Sequence, residues 1–169
     1  GRGDDADLYN VIGRDCGLTR DVMKNVVISL LYGKSLKTLF VELPMSEKDF
    51  RKLVVKIKRT FGISLLLKRI KTQFLKTGKI INRYGRPIKV DDPHDHVMIN
   101  YYTQSTAADV ALMGFNFIRE KALNAGLNIR PLFYLYDAMI FEAKVADIEK
   151  IVAINTVHVP GYVQSFYVR

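Results

Sequence analysis

Apolar positions along this 169-residue chain change period part-way through, and the change divides it into two regions. In the first, residues 7–14 predict a short helix. Thr19 is placed to cap a second helix through about Leu31, with Asp21 near its positive end and Gly33 stopping it. Ser46-Glu-Lys-Asp opens a third, in which Phe50, Leu53, Val54, Ile57 and Phe61 are spaced as a buried stripe. Residues 63–76 predict a further helix. From residue 79 onward β-rich runs enter. Two of them flank Tyr84-Gly85-Arg86-Pro87, which predicts a hairpin over 79–90. After the Asp91-Asp92-Pro93 turn, a long helix is expected over 95–124, ended by Ala125-Gly126. Residues 130–143 read as two apolar strands broken at Tyr136-Asp137-Ala138. A helix over 146–154 and a closing strand over 162–168 complete the pattern. The expected class is α+β: a helical region over 1–78 and a mixed region over 79–169.

Charge adds a partner class. The net charge is +9 and the pI about 9.6, the footprint of a nucleic-acid-binding surface or of a basic protein without one. Cys16 stands alone, so no intramolecular disulfide can form and a reducing compartment is the simpler reading. One cysteine with His94, His96 and His158 does not suggest structural zinc. The opening Gly-Arg-Gly-Asp-Asp carries no apolar signal region, and no apolar run is long enough to span a bilayer. The expectation is a cytoplasmic protein without a membrane partner.

Three segments carry candidate chemistry. Arg20, Lys24, Ile28 and Tyr32 follow one another at four-residue steps, which line up on one helical face. Such a row is either a solvated helix face or a surface holding a triphosphate at one end and a base at the other. Asn100 and Gln104, also four apart, form a polar face suited to packing under a loop or to meeting minor-groove acceptors, which differ little between base pairs. Asp137 sits inside a strongly apolar stretch, where an ionised carboxylate is costly unless paired or metal-bound. It reads either as a turn aspartate or as a metal ligand. Lys68, Arg69, Lys71 and Lys76 read as solvent-facing, or as contacts to a DNA backbone.

Taken in order, these segments resemble the family A DNA polymerases, the group of bacterial DNA polymerase I and several bacteriophage replicases. Arg20-x3-Lys24-x7-Tyr32-Gly33 resembles the family's motif B on the fingers helix. Asn100-x3-Gln104-Ser-Thr-Ala-Ala-Asp109 resembles the helix beside the primer-template minor groove, and Tyr136-Asp137-Ala138 resembles motif C at the palm hairpin. The Gly85-Arg86 hairpin also fits the family's order. The resemblance implies that Arg20 and Lys24 contact the phosphates of a deoxynucleoside triphosphate, with Lys24 also able to protonate the leaving pyrophosphate. It implies that Ile28 and Tyr32 lie by the incoming nucleotide. It puts Arg86, Asn100, Gln104 and Tyr136 at the primer-template DNA, and makes Asp137 a ligand of two catalytic Mg²⁺ ions. By the same resemblance 1–78 is a fingers-like region and 79–169 a partial palm.

The chain departs from the family at Ile28, where an aromatic is usual, and at Tyr136 and Ala138, where motif C has His and Glu. An aliphatic residue at position 28 is also similar to the single-subunit RNA polymerases, whereas Gln104-Ser-Thr-Ala-Ala-Asp109 favours the DNA polymerases. No stretch resembles motif A, Asp-Tyr-Ser-x2-Glu-Leu-Arg, and Asp5-Ala-Asp7-Leu8 resembles the stretch C-terminal to that motif in the family. The expectation is therefore a split polymerase: this chain brings fingers and part of the palm, and a second polypeptide brings motif A and the thumb. The host cytoplasm of a bacteriophage is a plausible setting. A non-catalytic polymerase-like subunit and an unrelated basic nucleic-acid-binding protein are the competing expectations.

Overall fold

The computed structural model describes residues 7–135, 138–154, 156–157, 159 and 166–167. The chain is α+β, mostly helical with small antiparallel sheets. It divides into two compact units, Gly1–Thr103 and Gln104–Arg169.

In the first unit, α1 (Leu8–Arg14), α2 (Arg20–Leu31), α3 (Leu36–Val41) and α4 (Glu47–Thr60) surround one core. Each begins at a residue whose side chain accepts from its first-turn amides: Asp7, Thr19, Ser35 and Ser46. These caps satisfy amides that a helix start leaves without partners. Ile12 of α1, Met23, Val26 and Val27 of α2, Leu39 of α3, and Phe50, Leu53, Val54 and Ile57 of α4 make the core. Burying each of these side chains stabilises the fold by roughly 1.5–3 kcal/mol. Phe61 ends α4 half-buried rather than inside the stripe. Lys56 of α4 pairs with Asp15 at the end of α1.

Next come α5 (Ile63–Thr77) and a hairpin of β1 (Ile80–Ile81) and β2 (Pro87–Ile88), followed by α6 (Asp95–Asn124). Ile70, Ile80, Val90 and Met98 join α5, the hairpin and the start of α6 in a second small core. Asn82 is only 5 % exposed although polar. Its Oδ1 accepts from the amides of Tyr84 at 2.9 Å and Arg86 at 3.0 Å, and its own amide donates to the Arg86 carbonyl at 3.0 Å. One side chain thus replaces the strand ladder through the turn, and Gly85 completes it at φ +86°. Asn82→Ala removes the Oδ1 that accepts from both amides. It is expected to cost about 1–3 kcal/mol in urea unfolding; a loss below about 0.5 kcal/mol would show that water replaces the carboxamide.

In the second unit, β3 (Ile129–Leu135) and β4 (Ala138–Ala143) form an antiparallel hairpin from Ile129↔Ala143 to Leu135↔Ala138, with a bulge between Pro131 and Phe133. Met139, Phe141 and Ala143 alternate inward, against Ala122 and Leu127 and against Ile151 of α7 (Ile148–Val152). Ile140 and, across the hairpin, Phe133 and Leu135 are exposed. The expected helix over 146–154 is a 3-10 turn, Val145–Asp147, followed by the short α7. Of the expected closing strand, β6 (Phe166–Tyr167) pairs with β5 (Thr156–Val157); residues 162–165 and 168 lie outside the described residues.

Candidate nucleotide and nucleic-acid interface

The physical basis of the α2 face is its amphipathic turn pattern. Met23, Val26 and Val27 are buried, and Arg20, Lys24, Ile28 and Tyr32 are all exposed. Ile28 is 37 % and Tyr32 57 % exposed, which is high for large apolar and aromatic groups on a packed helix. From Arg20 to Tyr32 the row runs about 18 Å at 1.5 Å per residue. Tyr32 ends the helix with its amide on the Ile28 carbonyl at 2.9 Å, and Gly33 turns the chain at φ +81°.

Gly33 has a second reason to lack a side chain. A methyl group built there would fall 2.5 Å from Cγ of His96 and 2.9 Å from its Cβ. The end of α2 therefore packs backbone-first against the first turn of α6.

The partner of Arg20 was not evident from helix periodicity. Its Nε donates to Asp7 Oδ2 at 2.7 Å, and its guanidinium lies 5.8 Å from the Tyr9 ring centroid. Asp7 Oδ1 meanwhile accepts from the Tyr9 amide at 2.8 Å. The Arg20 hydrogen bond, helped by the two amides, lowers the Asp7 pKa below the usual carboxylate range, and the same bond raises that of Arg20. Asp7 stands thirteen residues from Arg20, a separation that no helical period reveals. Lys24, one turn further along α2, makes no ion pair among the described residues.

The remaining predicted residues lie on other elements. Arg86 is exposed at the end of the Asn82 turn. Asn100 is half-buried and Gln104 exposed, one turn apart on α6. The β3–β4 ladder closes at Leu135↔Ala138; Tyr136 and Asp137 lie outside the described residues, as does any geometry for the expected metal ligand. Among the described residues no group of three His, Cys, Asp or Glu is disposed to hold a metal ion. Also among the described residues, no helix is long and apolar enough to cross a membrane.

No family model matches the chain. In sequence it is 25 % identical over 139 residues to DNA polymerase I of Treponema pallidum (strain Nichols), a match covering 76 % of this chain and 14 % of that protein. In structure it superposes with a TM-score of 0.65 on the POL domain of Pol1 from M. smegmatis, solved in complex with DNA primer-template and dNTP. That match covers 88 % of this chain and 30 % of the other at 21 % identity. The chain is similar in sequence to a DNA polymerase I and shares the fold of part of a polymerase domain. It spans a minor part of the length of both polymerases.

Proposed function

We propose that this chain is the C-terminal catalytic fragment of a split DNA-directed DNA polymerase, whose second polypeptide supplies motif A and the thumb. The observation that carries the reading is the α2 face: two cations, an aliphatic side chain and an aromatic in one exposed row beside a buried stripe. In this reading Arg20 and Lys24 hold the triphosphate of a deoxynucleotide, and Lys24 gives a proton to the departing pyrophosphate. Ile28 and Tyr32 form the floor for the sugar and base. Arg86, Asn100, Gln104 and Tyr136 touch primer-template DNA, using the region 79–169 as a partial palm and 1–78 as the fingers.

Asp137 is assigned to Mg²⁺, which when bound neutralises charge on the phosphates and activates the attacking oxygen. No stretch of the sequence resembles motif A, so the reading assigns the other principal carboxylate to the second polypeptide. The exposed apolar residues of the two-stranded β3–β4 hairpin support such a partner, because open strand edges with apolar faces favour pairing with another chain.

Primer extension with Mg²⁺ and the four deoxynucleotides tests this, on the chain alone and with the polypeptide that co-purifies with it. Extension is expected only with the partner, and Asp137→Ala is expected to reduce it about 10²–10³-fold, the scale of a lost transition-state charge. Undiminished extension by the variant would remove Asp137 from the site. A non-catalytic DNA-binding or assembly subunit is the second reading, favoured by Ile28, Tyr136 and Ala138 in place of the family's aromatic, His and Glu. It predicts no extension under either condition with DNA binding retained.

A further inference from the structure

Between Arg51 and Val90 the chain carries 13 lysines and arginines and no aspartate or glutamate. Several of these cations are neutralised by carboxylates outside the segment: Arg51 by Glu47, Lys56 by Asp15, Lys71 by Asp95 and Lys89 by Asp91. Lys68, Arg69 and Lys76 of α5 are exposed and make no ion pair among the described residues. Their positions are not scattered. Leu65, Lys68, Arg69, Thr72, Gln73 and Lys76 recur at helical spacing and line one shallow cavity of about 610 Å³. The opposite side of α5, with Leu66, Leu67, Ile70 and Phe74, is consumed by the core against Ile80, Val90 and Met98.

We propose that this face of α5 is a platform for the phosphate backbone of duplex DNA, separate from the α2 face. It rests on the proposed function in that the primer-template duplex is the ligand. Three features choose the occupant. Lys68 to Lys76 spans about 12 Å along the helix, the axial rise of three to four phosphates on one strand. Besides Leu65, the lining set is three cations, two threonines and a carboxamide, the side chains that contact phosphate and sugar without reading bases. The face carries no aromatic side chain, so it lacks the stacking platform by which proteins hold single strands. A lipid surface fits less well. Membrane-surface helices present a continuous apolar face, whereas that of α5 is buried and its exposed Leu65 and Leu75 are isolated.

The test is the salt dependence of binding to a short blunt duplex, read by fluorescence anisotropy, for the native chain and the Lys68→Ala/Arg69→Ala/Lys76→Ala variant. Loss of three phosphate contacts should make the slope of log K against log salt shallower by about 2.7, at roughly 0.9 per phosphate. A charge-matched control, Lys37→Ala/Lys48→Ala/Lys150→Ala, should leave the slope within about one contact of native. Lys68→Arg/Lys76→Arg should keep it, which separates charge from packing. An unchanged slope in the α5 variant overturns the proposal. So does a larger loss on a single-stranded oligonucleotide than on the duplex, or loss of binding to phosphatidylserine vesicles with duplex binding intact. Because binding rather than extension is read, a chain that fails to polymerise with its partner can still pass, and one that polymerises can still fail.

Discussion

Alanine at Lys24 is expected to lower nucleotide incorporation by the reconstituted polymerase about 10²–10³-fold, the usual loss when one preorganised charge on a developing anion is removed. The fold should be indifferent, because the Lys24 side chain lies on the exposed side of α2, away from Met23, Val26 and Val27. Lys24→Arg separates the two roles assigned to this side chain. A guanidinium still attracts phosphate but does not give up a proton near neutral pH. Arginine should therefore restore KM for the nucleotide while leaving kcat low, and should flatten the alkaline limb of the pH–rate profile. Single-turnover incorporation across a pH series measures both. A loss under about threefold in Lys24→Ala would return this face to an ordinary solvated helix surface. Arg20→Ala is a poorer probe, since it also strips Asp7 of its cation.

Gly33→Ala is expected to destabilise the chain by about 2–5 kcal/mol. Two costs combine: roughly 1–2 kcal/mol for a side chain in the left-handed region, and roughly 1–3 kcal/mol for forcing a methyl group into a packed site. The site is His96, whose ring an added Cβ would meet at 2.5 Å. Gly85 supplies the internal control. It has φ +86° with nothing within 4 Å of an added Cβ, so Gly85→Ala should show the backbone cost alone. Removing the ring in Gly33→Ala/His96→Ala should recover the ring's part of the steric share, leaving the backbone share and the contact with the retained Cβ at 2.9 Å. Urea unfolding of the four chains measures this. Equal losses at Gly33 and Gly85 would mean that His96 simply moves aside.

Much of the fold was legible because its local signals agree. Thr19 and Ser46 cap the helices they were expected to open, and Phe50, Leu53, Val54 and Ile57 form the expected stripe. Gly126 at φ +73° closes the long helix where expected. α3 was not legible because six residues give too few turns for a period; it is defined instead by the Ser35 cap and a Lys34–Glu42 ion pair at 2.6 Å that brackets it. The helix expected over 146–154 is shorter, since its first turn winds as 3-10. The β1–β2 strands are shorter than the β-rich runs around them, because Asn82 takes over the hydrogen bonding beside the turn. The α2 row was readable as a face. The pairing of Arg20 with Asp7 was not, because it depends on how α1 packs beside α2.

That pairing sets a condition on what the α2 face can accept. Asp7 and Arg20 already balance one another, so an anion that engages Arg20 trades places with a carboxylate instead of meeting a bare cation. A ligand bearing one charge gains almost nothing by the trade. A triphosphate brings several charges, and the surplus falls to Lys24, one turn along. In the proposed polymerase the Asp7 carboxylate therefore acts as a resident competitor for Arg20, one that weighs more against an anion of low valence than against a triphosphate.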